Sequence, residues 1–576
     1  MAQATPHAMS VAERQAALEA GYAPWQAMTL DRLLDQAVAT WPDRPWVITD
    51  SRSWTYRQML VWIERLAAGL RAEGVRPGEH VALLMANEPE YVAAKFAIAK
   101  VGAVAVPINF LNRRDELAYV LHQSDAVMLI TMDRFRGLEY LQFLDELAPG
   151  WAAQGGGDAF PRLRQVWVHP TGSEPVPAGV RAMAELGAQA PAWTPLADHP
   201  GPLSPCDIIY TSGTTGSPKG VLLTHDMLTR TAFGSAWGRA FEAGRRIVFS
   251  LPMYHVYGYV EGLLPVMFVG GAIVPQIKFD AADTLAGIAR HRASDVLLIP
   301  TMTLALLDTL ASQPEAHDLS SLHSMISSGG RSPAYIWDQI FERFGPVELT
   351  TGYGMTEVTA SSTVTRPDDP LERLKTSNGR LRDAGPAGDP ALGGRLVAYR
   401  VIDPECGAQL PRGAVGELQA RGPGVTIGYY QKPDATAAAF TPDGWLHTGD
   451  LGRIDEDDYL LLAGRLKESY RCGGEQVIPS DAEDLLVNHP AVLQAHVVPL
   501  PDERMGEVGV AFVVLRPEPA VTPEQLVDFC AAHLARFKVP RHVLPIRAED
   551  IPSTPSGRAR KFLLVQIALA QLGRSA

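Results

Sequence analysis

Cysteine is scarce in this chain: there are four among 576 residues, Cys206, Cys406, Cys472 and Cys530, and none forms a CxxC pair. Disulfide scaffolds and cysteine zinc sites need paired thiols, so both are excluded, and this usage suits a reducing compartment. An excess of cationic residues is also absent, because the net charge is −13. Such an acidic balance argues against nucleic acid and anionic membrane surfaces as partners.

Long apolar runs are missing as well. The longest apolar stretch, residues 259–275, is interrupted by Glu261 and contains three glycines. It is shorter than a membrane span of about 20 residues and indicates a core helix that runs into a strand. Residues 1–21 lack a basic start followed by an apolar core. We therefore expect no signal peptide, no integral membrane contact and a cytoplasmic location.

The chain is long enough to require at least two domains. Between residues 57 and 130, helical apolar spacing alternates with short continuous apolar runs, and the same rhythm returns between 283 and 350. This alternation predicts an α/β fold with two doubly wound, mostly parallel sheets. Residues 150–200 indicate a surface connection, 385–465 a small β-rich subdomain, and the chain after Lys467 an α+β unit.

The segment richest in chemistry is residues 210–220, Y-T-S-G-T-T-G-S-P-K-G, between Ile208-Ile209 and Val221-Leu222-Leu223. Glycines let backbone N–H groups face an anion, hydroxyls add donors and Lys219 adds positive charge, as a triphosphate site requires. It is not a Walker A loop, because Lys219 follows Pro218. The flanking apolar runs predict strand–loop–strand. Taken alone, such a loop is equally typical of a flexible linker.

Further blocks follow in order along the chain: LPMYHVYG at 251–258, YGMTE at 353–357, GWLHTGD at 444–450, GRLK at 464–467, GGEQVIP at 473–479 and PSGR at 555–558. With the first loop, these blocks resemble the adenylate-forming superfamily of acyl-CoA synthetases, firefly luciferase and peptide-synthetase adenylation domains. The resemblance extends from about residue 30 to residue 564.

The resemblance implies a large N-terminal domain, residues 1–466, and a mobile C-terminal domain, residues 467–576, that turns about a hinge at Lys467. It also implies an ATP-dependent carboxylate–CoA ligase. Such an enzyme forms an acyl-adenylate and then a thioester, and it releases pyrophosphate and AMP. ATP, Mg²⁺ and coenzyme A are then expected as cofactor and substrates.

The resemblance also assigns roles in nucleotide binding. The phosphates would be held by the loop residues Thr211, Ser212, Gly213, Thr214, Thr215, Gly216 and Lys219. Thr356 would donate to the α-phosphate and Glu357 would bind Mg²⁺, although an acid at a helix start is common in any protein. Tyr353, Gly329 and Gly330 would contact adenine. Asp450 and Arg465 would hold the ribose. The alternative for these two residues is an ion pair at the surface that contributes little energy.

Other residues are assigned to the acyl and CoA steps. His255 would screen the adenylate from water as a positioning group, although a histidine among aromatic residues is usually core. Lys467 would be the hinge, and Gly473 and Gly474 would let the pantetheine arm pass. Six residues are candidate acyl-pocket walls or ordinary core: Tyr257, Tyr259, Met302, Leu306, Ser332 and Val358.

One position departs from the family pattern. The family ends with Pro-x-Ser-Gly-Lys, whose lysine bridges carboxylate and α-phosphate oxygens, and Arg558 stands in its place here. Arginine keeps the charge, but its planar fork differs from a compact ammonium. Lys561 is the nearest alternative cation. Either Arg558 acts with altered geometry, or adenylation is slow, or the chain is a non-catalytic relative that binds nucleotide or acyl groups.

The substrate and partners remain partly open. No candidate pocket residue is a charged partner for a second carboxylate or an amine, so we expect an apolar monocarboxylic acid, fatty, alicyclic or aromatic. Transfer of the acyl group to a carrier protein is the close alternative to CoA. The Gly473-Gly474 block and the lack of a carrier domain after residue 576 favour CoA. A homodimer is left open.

Overall fold

The computed structural model describes residues 7–211, 218–313, 317–330, 332–553 and 559–573. The predictions made for Ser212, Gly213, Thr214, Thr215, Gly216 and Arg558 lie outside these residues. The helices are α1 Val11–Tyr22, α2 Leu30–Thr40, α3 Tyr56–Ala72, α4 Pro89–Lys100, α5 Arg114–Gln123, α6 Tyr140–Leu147, α7 Trp151–Gln154, α8 His225–Gly238, α9 Val256–Gly258, α10 Ala281–His291, α11 Pro300–Ser312, α12 Ala334–Phe344, α13 Leu371–Thr376, α14 Pro433–Ala439, α15 Pro479–Val487, α16 Pro523–His533 and α17 Lys561–Gln571.

The strands of the N-terminal part are β1 Pro45–Ile48, β2 Ser53–Thr55, β3 His80–Leu84, β4 Val104–Pro107, β5 Ala126–Met132, β6 Arg134–Phe135, β7 Leu138–Glu139, β8 Gln165–His169, β9 Arg181–Ala182, β10 Pro205–Thr211, β11 Lys219–Thr224, β12 Arg246–Phe249, β13 Ala272–Pro275, β14 Asp295–Leu298, β15 Ser324–Ser327, β16 Glu348–Thr350, β17 Gly352–Met355, β18 Ala360–Val364 and β19 Arg380–Leu381. Those that follow are β20 Ala398–Ile402, β21 Gly416–Arg421, β22 Leu446–Ile454, β23 Leu460–Arg465, β24 Tyr470–Cys472, β25 Glu475–Val477, β26 Val492–Asp502, β27 Gly506–Leu515 and β28 His542–Pro545.

Two large sheets form the N-terminal part. One has the strand order β11-β10-β4-β3-β5-β8-β9 and the other β16-β15-β14-β12-β13-β1-β2. Within each, neighbouring strands run parallel except at one edge pair, β10 with β11 and β1 with β2. Strands buried on both faces read as continuous apolar runs, and the whole of β5 is buried. The predicted α/β fold with two doubly wound sheets is confirmed.

Local sequence accounts for where the helices start. In α3, Thr55 accepts a hydrogen bond from Gln58 N–H, and the Gln58 side chain accepts one from Thr55 N–H. This reciprocal cap satisfies two backbone donors that the first turn leaves open. In α4, Pro89 occupies the first turn, where a missing N–H costs nothing. The apolar residues of α3 then face the sheet at 3.6-residue spacing.

The prediction of a surface connection over residues 150–200 is wrong in part. Gln165–His169 forms β8, which pairs in parallel with β5, and Arg181–Ala182 forms β9 beside it. Val166, Trp167 and Val168 are all buried. A short parallel strand with both faces covered shows no alternation of apolar and polar residues. The glycines and prolines around β8 also indicate a loop, so the strand was not predicted. The stretch 259–275 likewise contains a π-helical and a 3₁₀ segment before β13, where one regular helix was expected.

The last part of the chain has its own core. Strands β24 to β28 form one sheet with α15, α16 and α17 packed on it. Its buried apolar residues, such as Val497, Ala511 and Leu526, cluster among themselves. The division of the chain at Lys467 stays a prediction. No helix in the described ranges combines the length and apolar character needed to cross a bilayer.

Candidate active site

The loop expected to hold phosphates is framed by two antiparallel strands. Thr211 ends β10 and pairs with Lys219, the first residue of β11. Tyr119 O–H donates to Pro218 C=O at 2.9 Å and so fixes the descending arm. The two strands predicted on either side of this segment are confirmed, and Lys219 begins the second of them.

Tyr429 joins two charged residues that the sequence predicts for the nucleotide site. Its ring centroid lies 4.7 Å from Lys219 Nζ, and its hydroxyl donates to Glu357 Oε1 at 3.1 Å. Thr426 N–H donates to Glu357 C=O at 2.8 Å. Sequence reasoning missed Tyr429, because no motif includes it; it lies in the loop between β21 and α14.

Glu357 is buried, with 8% of its surface exposed. Burial raises the pKa of its carboxyl, and the hydrogen bond from Tyr429 lowers it in part. A carboxylate oxygen is the hard donor that Mg²⁺ prefers, and a dication compensates the cost of ionising a buried acid. The Glu357 carboxylate therefore suits Mg²⁺ as a ligand.

The backbone around Glu357 is held in an unusual conformation. Thr359 and Ala360 follow the 3₁₀ turn Thr356–Val358 with φ of 57° and 83°. Left-handed conformations of non-glycine residues are uncommon and concentrate at functional sites. Gly354 pairs with this segment so closely that a Cβ would lie 1.8 Å from Ala360 O. This contact requires glycine at the second position of the YGMTE block.

Asp450 is pre-oriented by two neighbours. Tyr353 O–H donates to Asp450 Oδ2 at 2.7 Å, and Arg465 Nε lies 2.9 Å from Asp450 Oδ1 across the β22–β23 pair. The carboxylate is buried, with 4% of the residue exposed. The two residues do form an ion pair, as the structural alternative expects, but its carboxylate is buried rather than exposed at the surface. A buried, fixed carboxylate can accept two hydrogen bonds from a diol.

Gly329 and Gly330 lie at the carboxyl end of β15 and are exposed. Gly329 has a φ of 88°, which favours glycine. Ser328 O–H donates to Gly352 C=O at 2.6 Å and ties this turn to the segment that carries Tyr353. The structure thus brings the predicted adenine-contact residues to adjacent backbone segments at one sheet edge.

His255 caps α9, and its Nδ1 accepts the Tyr257 N–H at 3.2 Å. Burial lowers the pKa of His255 to about 4, so the ring is neutral at pH 7. With Nδ1 an acceptor, the proton resides on Nε2. Tyr257 O–H donates to Leu298 C=O at 2.9 Å. A neutral imidazole whose Nε2–H has no hydrogen-bond partner in the described part of the chain suits positioning of a carbonyl rather than proton transfer.

Asn87 holds the segment that precedes His255. Its Oδ1 accepts Met253 N–H and its Nδ2 donates to Leu251 C=O, both at 2.9 Å. Asn87 lies outside every block that the sequence analysis identified. The LPMYHVYG block is therefore positioned by a residue from the other large sheet, immediately after β3.

Buried charges next to the LPMYHVYG block are compensated within the protein. Glu261 is fully buried and accepts hydrogen bonds from Ser235 O–H at 2.5 Å and from Arg382 at 2.8 Å. Burial raises the pKa of Glu261, but Arg382 and Arg239 lower it more. Tyr259 packs with its ring 4.8 Å from Lys95 Nζ, beside the buried Lys95–Asp207 pair, and so belongs to the core. Leu306 and Val358 are also buried.

The residues assigned to the hinge and to the passage of the pantetheine arm lie around β24. Lys467 is exposed in the turn between β23 and β24. Gly473 and Gly474 connect β24 to β25 with φ of 62° and 89°, as a two-residue hairpin turn requires. Among the described residues, no hydrogen bond or ion pair joins this hairpin to Lys219, Glu357 or Asp450.

Lys561, the alternative cation, is already engaged. Its Nζ lies 2.7 Å from Glu483 Oε1 and 3.2 Å from Glu468 Oε2. Burial lowers the pKa of Lys561, but the two carboxylates raise it above the usual value. This ammonium is a structural partner of two acids within the last part of the chain.

The chain belongs to the AMP-binding enzyme family. The family model matches residues 34–430, and the model of the family's C-terminal domain matches residues 481–558. The enzyme is an acid–thiol ligase of the acyl-CoA synthetase class that acts on carboxylic acids and depends on ATP.

Relatives of known name cover almost the whole chain. The methyl-dioxo-octahydro-indenyl-propanoyl:CoA ligase of Mycobacterium tuberculosis is 32% identical over 540 residues, 92% of this chain and 97% of that protein. The mitochondrial medium-chain acyl-CoA ligase ACSF2 of Danio rerio is 30% identical over 564 residues, 96% of this chain and 90% of that protein. The crystal structure of the anthranilate CoA ligase AuaEII with anthranoyl-AMP superposes with a TM-score of 0.81 at 25% identity, over 98% of this chain and 100% of that one.

Proposed function

We propose that this ligase activates an apolar monocarboxylic acid, fatty, alicyclic or aromatic, and transfers the acyl group to coenzyme A. The observation that carries the proposal is the compensation of buried charge around the LPMYHVYG block: Glu261 is neutralised by Arg382, Lys95 by Asp207, and His255 is neutral. A buried charge with no partner would be needed to bind a second carboxylate or an amine. The relatives act on a polycyclic propanoate, medium-chain acids and anthranilate, which supports the same range.

In the first half-reaction, a carboxylate oxygen of the acid attacks the α-phosphorus of ATP, and the bond to pyrophosphate breaks. Lys219 and the loop it follows orient the leaving phosphates, and Asp450 holds the ribose. Glu357 would hold Mg²⁺, which neutralises negative charge as it develops on the phosphates. Tyr429 keeps the Glu357 carboxylate in place and separates it from the Lys219 ammonium.

In the second half-reaction, the CoA thiolate sulfur attacks the acyl carbon and AMP leaves. His255 Nε2–H is the available donor beside the acyl carbonyl, and it positions this group and screens it from water. The C-terminal domain, residues 467–576, would turn about Lys467 between the two steps, and the Gly473-Gly474 hairpin would then face the pantetheine arm. Arg558 would bridge the acid and the α-phosphate during adenylation.

The test is pyrophosphate release from ATP with a panel of medium-chain, alicyclic, aromatic and dicarboxylic acids, each with and without CoA. Turnover that depends on CoA and on the apolar monoacids supports the proposal. Turnover only with a dicarboxylate contradicts the substrate class, and turnover that depends on a carrier protein contradicts the acceptor.

Glu357→Gln tests the assignment of the metal. It removes the charge and keeps the shape, so turnover falls more than the KM for ATP rises. Asp443→Asn is a control, because that carboxylate pairs with Arg400 at the surface. An unchanged Mg²⁺ dependence in Glu357→Gln would remove this residue from the metal site.

A further inference from the structure

Three side chains with metal-binding donors converge at the carboxyl edge of the first large sheet. Glu88 and Glu90 lie where α4 begins, directly after β3, and His169 is the last residue of β8. β5 runs parallel between these two strands. The carboxyl ends of parallel strands lie at one edge, so the topology brings together residues that are distant in sequence.

The spacing of the donor atoms suits a single ion. One donor atom from each of Glu88, Glu90 and His169 lies within 4.8 Å of the other two, and His169 Nε2 is 3.1 Å from Glu88 Oε2. Ligands bound at about 2.0–2.2 Å lie about 3–4 Å from one another around an ion. The three donor atoms are therefore already close to one another before an ion binds.

A buried oxygen in this cluster lacks a hydrogen-bond donor. Glu88 Oε2 is buried and has no hydrogen-bond partner among the described residues, although His169 Nε2 lies 3.1 Å away. A buried carboxylate oxygen without a donor is costly and rare. A cation between Glu88 Oε2 and His169 Nε2 would satisfy both atoms.

The charge of the surroundings also favours a cation. Burial raises the pKa of Glu90, and Glu88 raises it further. Burial acts to lower the pKa of His169, but Glu88, Glu90 and Asp133 raise it above the usual value. The Asp133 carboxylate accepts hydrogen bonds from Thr171 N–H at 2.9 Å and from Thr171 O–H at 2.7 Å. Two carboxylates therefore face one imidazole in this cluster.

We propose that Glu88, Glu90 and His169 form a binding site for a divalent transition-metal ion of the Zn²⁺ class, separate from the Mg²⁺ of the nucleotide. One imidazole and two carboxylates are a mixed nitrogen and oxygen set that such ions accept. The adjacent Asn87 holds Leu251 and Met253, so the bound ion fixes the start of α4 and, through Asn87, the segment that carries His255.

The experiment titrates the full chain with Zn²⁺ after chelator treatment and without nucleotide, in competition with a chromophoric chelator. Cys406→Ser serves as the background, because Cys406 is exposed and could bind zinc itself. We expect one tight equivalent per chain. His169→Gln and Glu90→Gln should each weaken it at least about ten-fold, since even outer-shell substitutions cost about 10–100-fold.

His199→Gln is the matched control. His199 is as buried as His169 and lies 3.5 Å from Asp31, but no second carboxylate joins it. Equal Zn²⁺ affinity in His169→Gln and His199→Gln, or no tight equivalent in the background protein, would overturn the proposal. Melting temperature in chelator shows whether each variant folds, and Co²⁺ absorption bands lost only in His169→Gln would establish the imidazole ligand.

Discussion

The hydroxyl of Tyr429 donates a hydrogen bond to Glu357 Oε1 at 3.1 Å, and the ring of the same residue lies 4.7 Å from Lys219 Nζ. One aromatic side chain therefore sets both the orientation of the acid and the position of the cation. Contact of an ammonium with a ring face is favourable, so the arrangement holds before nucleotide binds.

Tyr429→Phe should lower the rate of adenylation by about 10–100-fold, because a hydrogen bond to a charged group contributes about 1.5–3 kcal/mol. It should also weaken the apparent affinity for Mg²⁺, since Glu357 loses the donor that lowers its pKa. Pyrophosphate release against Mg²⁺ concentration measures both effects. Tyr430→Phe is the control, because that hydroxyl donates to Asp125 instead. Equal rates in the two variants would contradict this role.

Asp450→Asn should weaken ATP binding by about 1.5–3 kcal/mol, because the amide presents one acceptor where the carboxylate presents two. Tyr353→Phe should have a smaller effect, since it removes only the hydroxyl that orients Asp450. Calorimetric titration with ATP measures the dissociation constant. If both variants bind ATP like the wild type, Asp450 does not contact the ribose.

Stability should fall on acidification through His255. Its folded pKa is about 4 and its unfolded pKa is about 6.5, so the unfolded chain binds more protons between these values. The free energy of unfolding should therefore decrease from pH 6.5 towards pH 4, by up to about 3 kcal/mol. His255→Asn keeps an acceptor that can cap the helix, and its stability should no longer show this decrease between pH 6.5 and pH 4. Denaturant titrations at several pH values test it, and parallel pH curves for both proteins would contradict it.

Substitution of Lys561 should affect the stability of the protein, whereas substitution of Arg558 should affect adenylation. Lys561→Ala leaves Glu468 and Glu483 without their shared cation and should destabilise the protein by about 3–5 kcal/mol. Lys538→Ala is the control, because Lys538 is half-exposed and pairs with Asp481. This substitution should lower the free energy of unfolding by at most about 1 kcal/mol.

Arg558→Ala should instead suppress adenylation and spare thioester formation from supplied acyl-adenylate, and Arg558→Lys should retain or raise adenylation. Loss of adenylation in folded Lys561→Ala, with Arg558→Ala active, would show that the catalytic cation lies three residues further along the chain.

Lys467→Pro should allow acyl-adenylate formation and abolish thioester formation, because proline fixes φ at the proposed hinge. Lys467 lies in the exposed turn between β23 and β24, where a fixed dihedral restricts rotation without disturbing a core. Single-turnover assays of each half-reaction measure the two steps. Equal loss of both steps would argue against rotation about this residue.

Much of the site could be predicted from contiguous motifs. Lys219, Glu357 and Asp450 each stand inside a block whose local backbone is set by its own residues, as Gly354 shows in its contact with Ala360. Tyr429 and Asn87 could not be predicted, because each acts on a block from a distant part of the chain. β8 was missed because a covered parallel strand lacks alternation.

The sequence by itself determined the family, the order of the blocks, the alternation of helices and strands and the departure at Arg558. These properties depend on neighbouring residues, through capping, apolar spacing and the freedom of glycine. Only the tertiary structure decided that Tyr353 donates to Asp450, that Lys561 is held by two acids, and that Glu88, Glu90 and His169 meet. Those contacts depend on sheet order and register, which long-range packing sets and which short stretches of chain do not encode.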